Sequence, residues 1–182
     1  VFRECVLPTL EALEKSDAPF RGFLFGGFML TDAGPKLLEY NVRLGDPEAQ
    51  AILPRLPDGA FLELCLRTAR GDLDGYELTF KGNSTCAIVL AAAGYPASPR
   101  KGDEIHVESQ LATDGRWLIH AGTKTEDGRL VTAGGRVAAV VATESSPEKA
   151  RAEAYGGLQQ VSFAGIQFRE DIGIAKTLGE QS

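Results

Sequence analysis

The 182-residue sequence predicts an α+β fold, a β-hairpin with helices followed by a small, mostly β domain. Three observations carry this expectation. Residues 22–30 are apolar at consecutive positions and residues 36–44 alternate, with the turn Thr31-Asp32-Ala33-Gly34-Pro35 between them, which is a hairpin pattern. Apolar positions recur at helical spacing on either side of that hairpin. Beyond the polar stretch Gly71-Asp72-Leu73-Asp74-Gly75 the texture changes to short strands separated by glycine turns. That change divides the chain into residues 1–74 and 75–182.

In chain order, Phe2, Val6, Leu10 and Leu13 form a helical stripe in which Pro8 either starts the main run or kinks it, and residues 15–19 break it. Residues 22–30 read as a strand covered on both sides. In residues 36–44, Leu38, Tyr40, Val42 and Leu44 share one face, and Leu37, Glu39, Asn41 and Arg43 the other. Asp46-Pro47 reads as an N-cap with Pro at the first helical position, opening a helix to Arg55. Asp58 caps a second helix over 59–70, with the stripe Leu62, Cys65, Leu66 and Ala69 and a stop at Gly71. Strands follow at 85–92, 105–108, 117–121, 130–132 and 136–143. Ser146-Pro147 caps a helix with Ala150, Ala154, Leu158 and Val161 on one face, and a last strand is expected at 165–169.

Composition narrows the function classes. A hydrophobic share of 43% with 24% charged residues excludes a disordered or low-complexity chain. A net charge of −6 without a basic run is a poor match to nucleic acid. The longest apolar run, residues 86–93, falls far short of the ~18 residues that signal a membrane span. Cys5, Cys65 and Cys86 are odd in number and widely spaced, which fits reduced thiols in the cytoplasm and no zinc site. The opening Val1-Phe2-Arg3-Glu4-Cys5 has neither a start Met nor a signal-peptide plan, so a fragment of a longer protein is expected.

The chemistry concentrates in residues 38–48. Period-two geometry places Glu39, Asn41 and Arg43 on one face, with alternate Cα atoms ~7 Å apart. A carboxylate and an amide oxygen at that spacing suit Mg²⁺, which takes hard oxygen ligands and completes its shell with water and phosphates. An Arg two residues on can stabilise a transferring phosphoryl group. The plainer alternative is that the three side chains solvate the outer face of a hairpin.

At these residues the sequence resembles the ATP-grasp enzymes, and among them the glycinamide ribonucleotide synthetase (phosphoribosylamine–glycine ligase) family. The matching run is Glu39-Tyr40-Asn41-Val42-Arg43-Leu44-Gly45-Asp46-Pro47-Glu48-Ala49-Gln50, preceded by Gly22-Phe23-Leu24-Phe25-Gly26-Gly27-Phe28-Met29. Downstream, Gly94-Tyr95-Pro96, Lys101-Gly102, His120-Ala121-Gly122-Thr123, Gly134-Gly135-Arg136-Val137 and Arg169-Glu170-Asp171-Ile172-Gly173 resemble that family's C-terminal domain in order, up to about Ala175. Tyr40 and Leu44 depart from the family pattern, where Phe is expected. The resemblance implies the C-terminal part of an ATP-grasp domain followed by the ligase's small C-terminal domain. It also implies ATP-dependent ligation of glycine to 5-phosphoribosylamine through glycyl phosphate, in purine biosynthesis. ATP is then a co-substrate, Mg²⁺ or Mn²⁺ the metal, and the missing N-terminal half of the enzyme a partner. Under it Glu39 and Asn41 match the metal-binding pair and Arg43 the catalytic Arg.

Asp46 and Glu48 hold substrate or merely start a helix, and both are open for Asp46. Arg136, beside Gly134-Gly135, is carried as a substrate-phosphate contact, although such a glycine pair is ordinarily a tight turn. His106 and His120 have no partner at metal-ligand spacing, His120 is read as a cleft or packing residue, and Trp117 as core. The rival readings are another ATP-grasp ligase, such as a biotin carboxylase, and a non-enzymatic carrier module. The carrier lacks the displayed Lys beside Met, since the single Met, Met29, lies in an apolar strand.

Overall fold

The computed structural model describes residues 1–16 and 20–174. The end of the break expected at 15–19, and the family resemblance at Ala175, lie outside the described residues. The chain divides into two compact units, Val1–Ala49 with Pro57–Thr79, and Gln50–Leu56 with Phe80–Ser182.

The first unit begins with a π-helical turn, Phe2–Val6, running into α1, Leu7–Lys15. Pro8 sits in the first turn of α1, just past its junction with the π-helical turn. The hairpin follows as β1, Phe25–Thr31, and β2, Gly34–Asn41, paired antiparallel. Both strands start and end off the expected bounds, and the register slips between Gly27 and Phe28. Gly27 faces Glu39 and Phe28 faces Leu37, which leaves Leu38 as the extra residue of a bulge. The expected clean alternation over 36–44 is therefore corrected. The expected packed apolar face is corrected too: Tyr40 and Leu44 are half-buried, but Leu38 is 64% and Val42 72% exposed.

Residues 46–47 form a turn whose Asp46–Pro47 peptide is cis, and the helix α2 runs Glu48–Ile52 before a 3₁₀ turn, Leu53–Arg55. Pro47 thus lies ahead of the helix rather than at its first position. The Gly45 carbonyl takes the Ala49 amide at 3.0 Å and closes that turn. Helix α3, Ala60–Arg70, starts at Gly59 in the left-handed region and stops at Gly71, also left-handed. Its half-buried residues are Ala60, Phe61, Leu64, Cys65, Arg67 and Thr68, while Leu62, Leu66 and Ala69 are exposed. The packed face is rotated from the expected stripe because Phe61 turns inward onto Phe23, ring centroids 5.8 Å apart.

The second unit is built on a three-stranded antiparallel sheet with order β3-β8-β5. Its strands are β3, Ser84–Ala91, β5, Arg116–His120, and β8, Arg136–Glu144. Two small ribbons accompany it: β4, His106–Val107, with β9, Val161–Ser162, and β6, Thr123–Glu126, with β7, Arg129–Thr132. The expected last strand at 165–169 is corrected to β9, with one isolated bridge between Ala91 and Gln167. The strand β6 went unread because Thr-Lys-Thr-Glu has no apolar alternation to show it.

Helix α4, Pro147–Leu158, is capped by Ser146, whose Oγ accepts the Lys149 amide. Its own backbone amide and the Ser146 hydroxyl hold the Glu148 carboxyl below its usual range. The buried face of α4 is Ala150, Ala154, Gly157 and Leu158, packed on a core that includes Ile88, Leu90, Val137 and Val140. Arg116 is 7% exposed and ties this layer together. It donates Nε to the Leu111 carbonyl at 2.9 Å, Nη1 to Glu153 Oε1 at 2.7 Å and Nη2 to the Gln110 carbonyl at 3.0 Å. Every buried apolar side chain among the described residues belongs to this unit.

At Gly157 an added Cβ would come within 2.7 Å of Arg116 Cδ and 2.9 Å of Val140 Cγ1. Gly157→Ala is expected to destabilise the second unit by about 1–3 kcal/mol through overpacking. A lowered urea midpoint with an unchanged slope checks it; an unchanged midpoint would mean that α4 can shift freely on the sheet.

Candidate functional site

The three residues Glu39, Tyr40 and Asn41 close β2 and face Gly27, Gly26 and Phe25 respectively. Because neighbours on a strand point to opposite faces, Glu39 and Asn41 project together and Tyr40 projects away. The pair is in contact: the Asn41 amide Nδ2 donates to Glu39 Oε1 at 2.9 Å. Gly27 matters here, since the Glu39 side chain lies across it, its Cγ 3.4 Å from where a Cβ would stand. The glycine pair inside an apolar strand was the available signal for such a close approach.

Arg43 is not on the strand. β2 stops at Asn41, and Arg43 follows in an exposed bend with Nη1 donating to the Leu44 carbonyl at 2.9 Å. The expectation of three polar side chains on one strand face is thus corrected to two, because the ladder ends before the third. Gly45 is buried, and a side chain there would overlap the Glu48 carboxylate and the Phe25 ring. Glu48 therefore folds back over Gly45 at the head of α2, while Asp46 sits in the preceding turn.

Arg136 belongs to the second unit, where it opens β8 with an exposed side chain. Its carbonyl accepts the Gly122 amide at 2.9 Å, and Gly122 packs against Gly134 with no room for a Cβ on Gly122. The Tyr95 ring covers Gly135 in the same way. His120 is exposed at the end of β5, its Nδ1 3.2 Å from Thr123 Oγ1. Trp117 is corrected from core to groove: it is half-buried, and with Val107, Leu111, Leu118, His120 and Leu130 it lines an open, mostly apolar cavity of about 450 Å³.

The resemblance implies a divalent metal. Among the described residues no group of three or more His, Cys, Asp or Glu side chains is placed to hold one. Glu39 and Asn41 nonetheless fit the ion expected. They bring a carboxylate and a side-chain amide to one place, and Mg²⁺ is commonly held by one or two carboxylates with nucleotide phosphates and water completing the shell. Turning the Asn41 amide would aim its oxygen, rather than its nitrogen, at a shared cation.

Comparison with known proteins identifies the family. The family model for the phosphoribosylglycinamide synthetase C domain matches residues 85–175, and that for the same enzyme's ATP-grasp (A) domain matches residues 1–49. The phosphoribosylamine–glycine ligase of Ralstonia nicotianae is 42% identical over 174 residues, 95% of this chain and 41% of its own length. The crystal structure of phosphoribosylamine–glycine ligase from Thermotoga maritima superposes with a TM-score of 0.78 at 40% identity, covering 90% of this chain and 40% of that one. The biotin carboxylase domain of Hydrogenobacter thermophilus 2-oxoglutarate carboxylase shares the fold at a TM-score of 0.52 and 18% identity, over 79% of this chain and 32% of its own. The chain spans about two fifths of the length of the ligases it matches.

Proposed function

Since this chain belongs to the phosphoribosylglycinamide synthetase family, we propose that it carries the metal-bearing part of an ATP-dependent ligase that joins glycine to 5-phosphoribosylamine. The observation that carries the reading is the Glu39–Asn41 contact, set in the run Glu39-Tyr40-Asn41-Val42-Arg43 and followed by Gly45-Asp46-Pro47-Glu48. In this reaction a glycine carboxylate oxygen attacks the γ-phosphorus of ATP, and the bond to ADP breaks. The phosphoribosylamine nitrogen then attacks the glycyl phosphate carbonyl, and phosphate leaves as the amide of glycinamide ribonucleotide forms.

Glu39 and Asn41 would hold Mg²⁺ or Mn²⁺, which when bound neutralises charge on the nucleotide phosphates. Arg43, in its bend beyond the strand, keeps further N–H groups beside the one given to Leu44 and would meet the oxygens of the transferring phosphoryl group. Asp46 and Glu48 offer carboxylates to the ammonium group of glycine. Arg136 offers a fork to the phosphate of phosphoribosylamine. The unpaired thiols Cys5, Cys65 and Cys86 fit a cytoplasmic enzyme of purine biosynthesis. No helix among the described residues is long and apolar enough to cross a membrane.

ADP release tests the reading, compared between glycine with phosphoribosylamine and bicarbonate, in an enzyme assembled from this chain and the part of the family's length it does not span. Release that depends on glycine supports it, and release that depends on bicarbonate instead would transfer the chain to the carboxylases. In the same enzyme Arg43→Lys is expected to lower kcat about a hundredfold with little change in the ATP requirement. A point charge there replaces a planar fork that matters most at the developing oxyanion. A raised nucleotide requirement with normal kcat would make Arg43 a ground-state binder.

A further inference from the structure

We propose that the Tyr40 hydroxyl is a positioning group for the metal pair, a role that rests on reading Glu39 and Asn41 as metal ligands. The stretch of β2 that carries those ligands is short and weakly held. It has three residues between the Leu38 bulge and the strand end at Asn41, and two of its three cross-strand partners are glycines. Leu38 and Val42, which flank it, are largely exposed and pin nothing. Such a terminal stretch frays readily.

Tyr40 is the exception. Its hydroxyl donates to the Cys5 carbonyl at 3.1 Å and lies 2.9 Å from Thr9 Oγ1, and Thr9 Oγ1 itself donates to the same carbonyl at 2.9 Å. The ring stands edge-on to Phe28, centroids 6.2 Å apart at 86°, over a glycine, Gly26, whose Cβ would lie 3.1 Å from it. The residue between the two ligands is thus tied to the π-helical turn and to α1, while its neighbours point to the other face. Mg²⁺ demands near-octahedral geometry and tolerates little ligand movement, so this tether sets how well the pair is preorganised. Tyr40 points to the face opposite Glu39 and Asn41 and acts through the backbone of these two neighbours.

The test uses the 182-residue chain itself, titrated with Mn²⁺ alone and followed by paramagnetic broadening of the Tyr40 and Asn41 amide resonances. Tyr40→Phe and Thr9→Val are each expected to raise the midpoint about tenfold, the size usual for a group that orients a metal ligand. Thr9→Ser should restore it, and the double variant should add little to either single one. Glu39→Gln serves to separate the layers of the proposal. If it abolishes broadening while Tyr40→Phe keeps the wild-type midpoint, the tether has no such role and the metal reading stands. If Glu39→Gln leaves broadening unchanged, the metal reading fails and the tether falls with it. Should Tyr40→Phe lose the hairpin's resonance dispersion, Thr9→Val decides: a folded variant with the wild-type midpoint overturns the proposal.

Discussion

Glu39→Ala or Asn41→Ala is expected to lower ligase turnover by about a hundredfold to a thousandfold in the assembled enzyme, with the fold intact. Each change removes one of two candidate metal-ligating side chains that project from the same side of β2, the Asn41 amide Nδ2 donating to Glu39 Oε1 at 2.9 Å. Phosphoryl transfer depends almost wholly on positioning and charge stabilisation, and a single preorganised contact in such a site is commonly worth 10²–10³ in rate. Stability should change little, because the bond between the two side chains is exposed and neither supplies core volume. Glycine-dependent ADP release at several Mg²⁺ concentrations measures the loss, with thermal melting as the control for folding. A folded variant with normal turnover at limiting Mg²⁺ would remove Glu39 and Asn41 from the metal site.

The second large effect concerns the 182 residues alone, which are expected to show no ligase activity above background. The ATP-grasp match covers residues 1–49, and the chain spans about two fifths of the related ligases. No motif in the sequence supplies a Gly-rich phosphate loop leading into a helix. Lys15 ends α1, and Lys36 and Lys124 lie within β2 and β6. Triphosphate charge would then meet one metal and Arg43 with the base unclamped, a half-site in which the entropy of bringing substrates together stays unmet. The first unit is also thin, since none of its described apolar side chains is buried. Purified chain, with and without the remaining part of the family's length, makes the comparison. Robust glycine-dependent turnover by the chain alone would show that the residues given suffice.

Much of the second unit was legible in the sequence. The Ser146-Pro147 cap and the Ala150–Ala154–Leu158 spacing predicted α4 and its buried face, and the apolar runs predicted β3 and β8. Those signals are local and strong: a hydroxyl cap, a period near four and continuous burial. The α+β class and the hairpin were readable for the same reason, and the match to two ATP-grasp structures shows the fold. What stayed hidden depends on tertiary detail. The Leu38 bulge leaves no mark on an alternating sequence, yet it shifts the pairing beside Glu39. Arg43 continues the period-two pattern perfectly, and only the end of hydrogen bonding at Asn41 removes it from the strand. Trp117 alternates like a core residue but flanks the cavity beside β5. Tyr40's tether joins residues 31 and 35 positions apart in sequence, a separation that no periodicity reports.

The central claim is that this chain serves an enzyme that phosphorylates the carboxylate of glycine before forming the amide. Glycine carrying heavy oxygen in its carboxylate, turned over by the assembled enzyme with ATP and phosphoribosylamine, tests this most directly. Attack by the carboxylate on the γ-phosphorus predicts that one heavy oxygen appears in inorganic phosphate for each amide formed. Amide formation with unlabelled phosphate would contradict the claim.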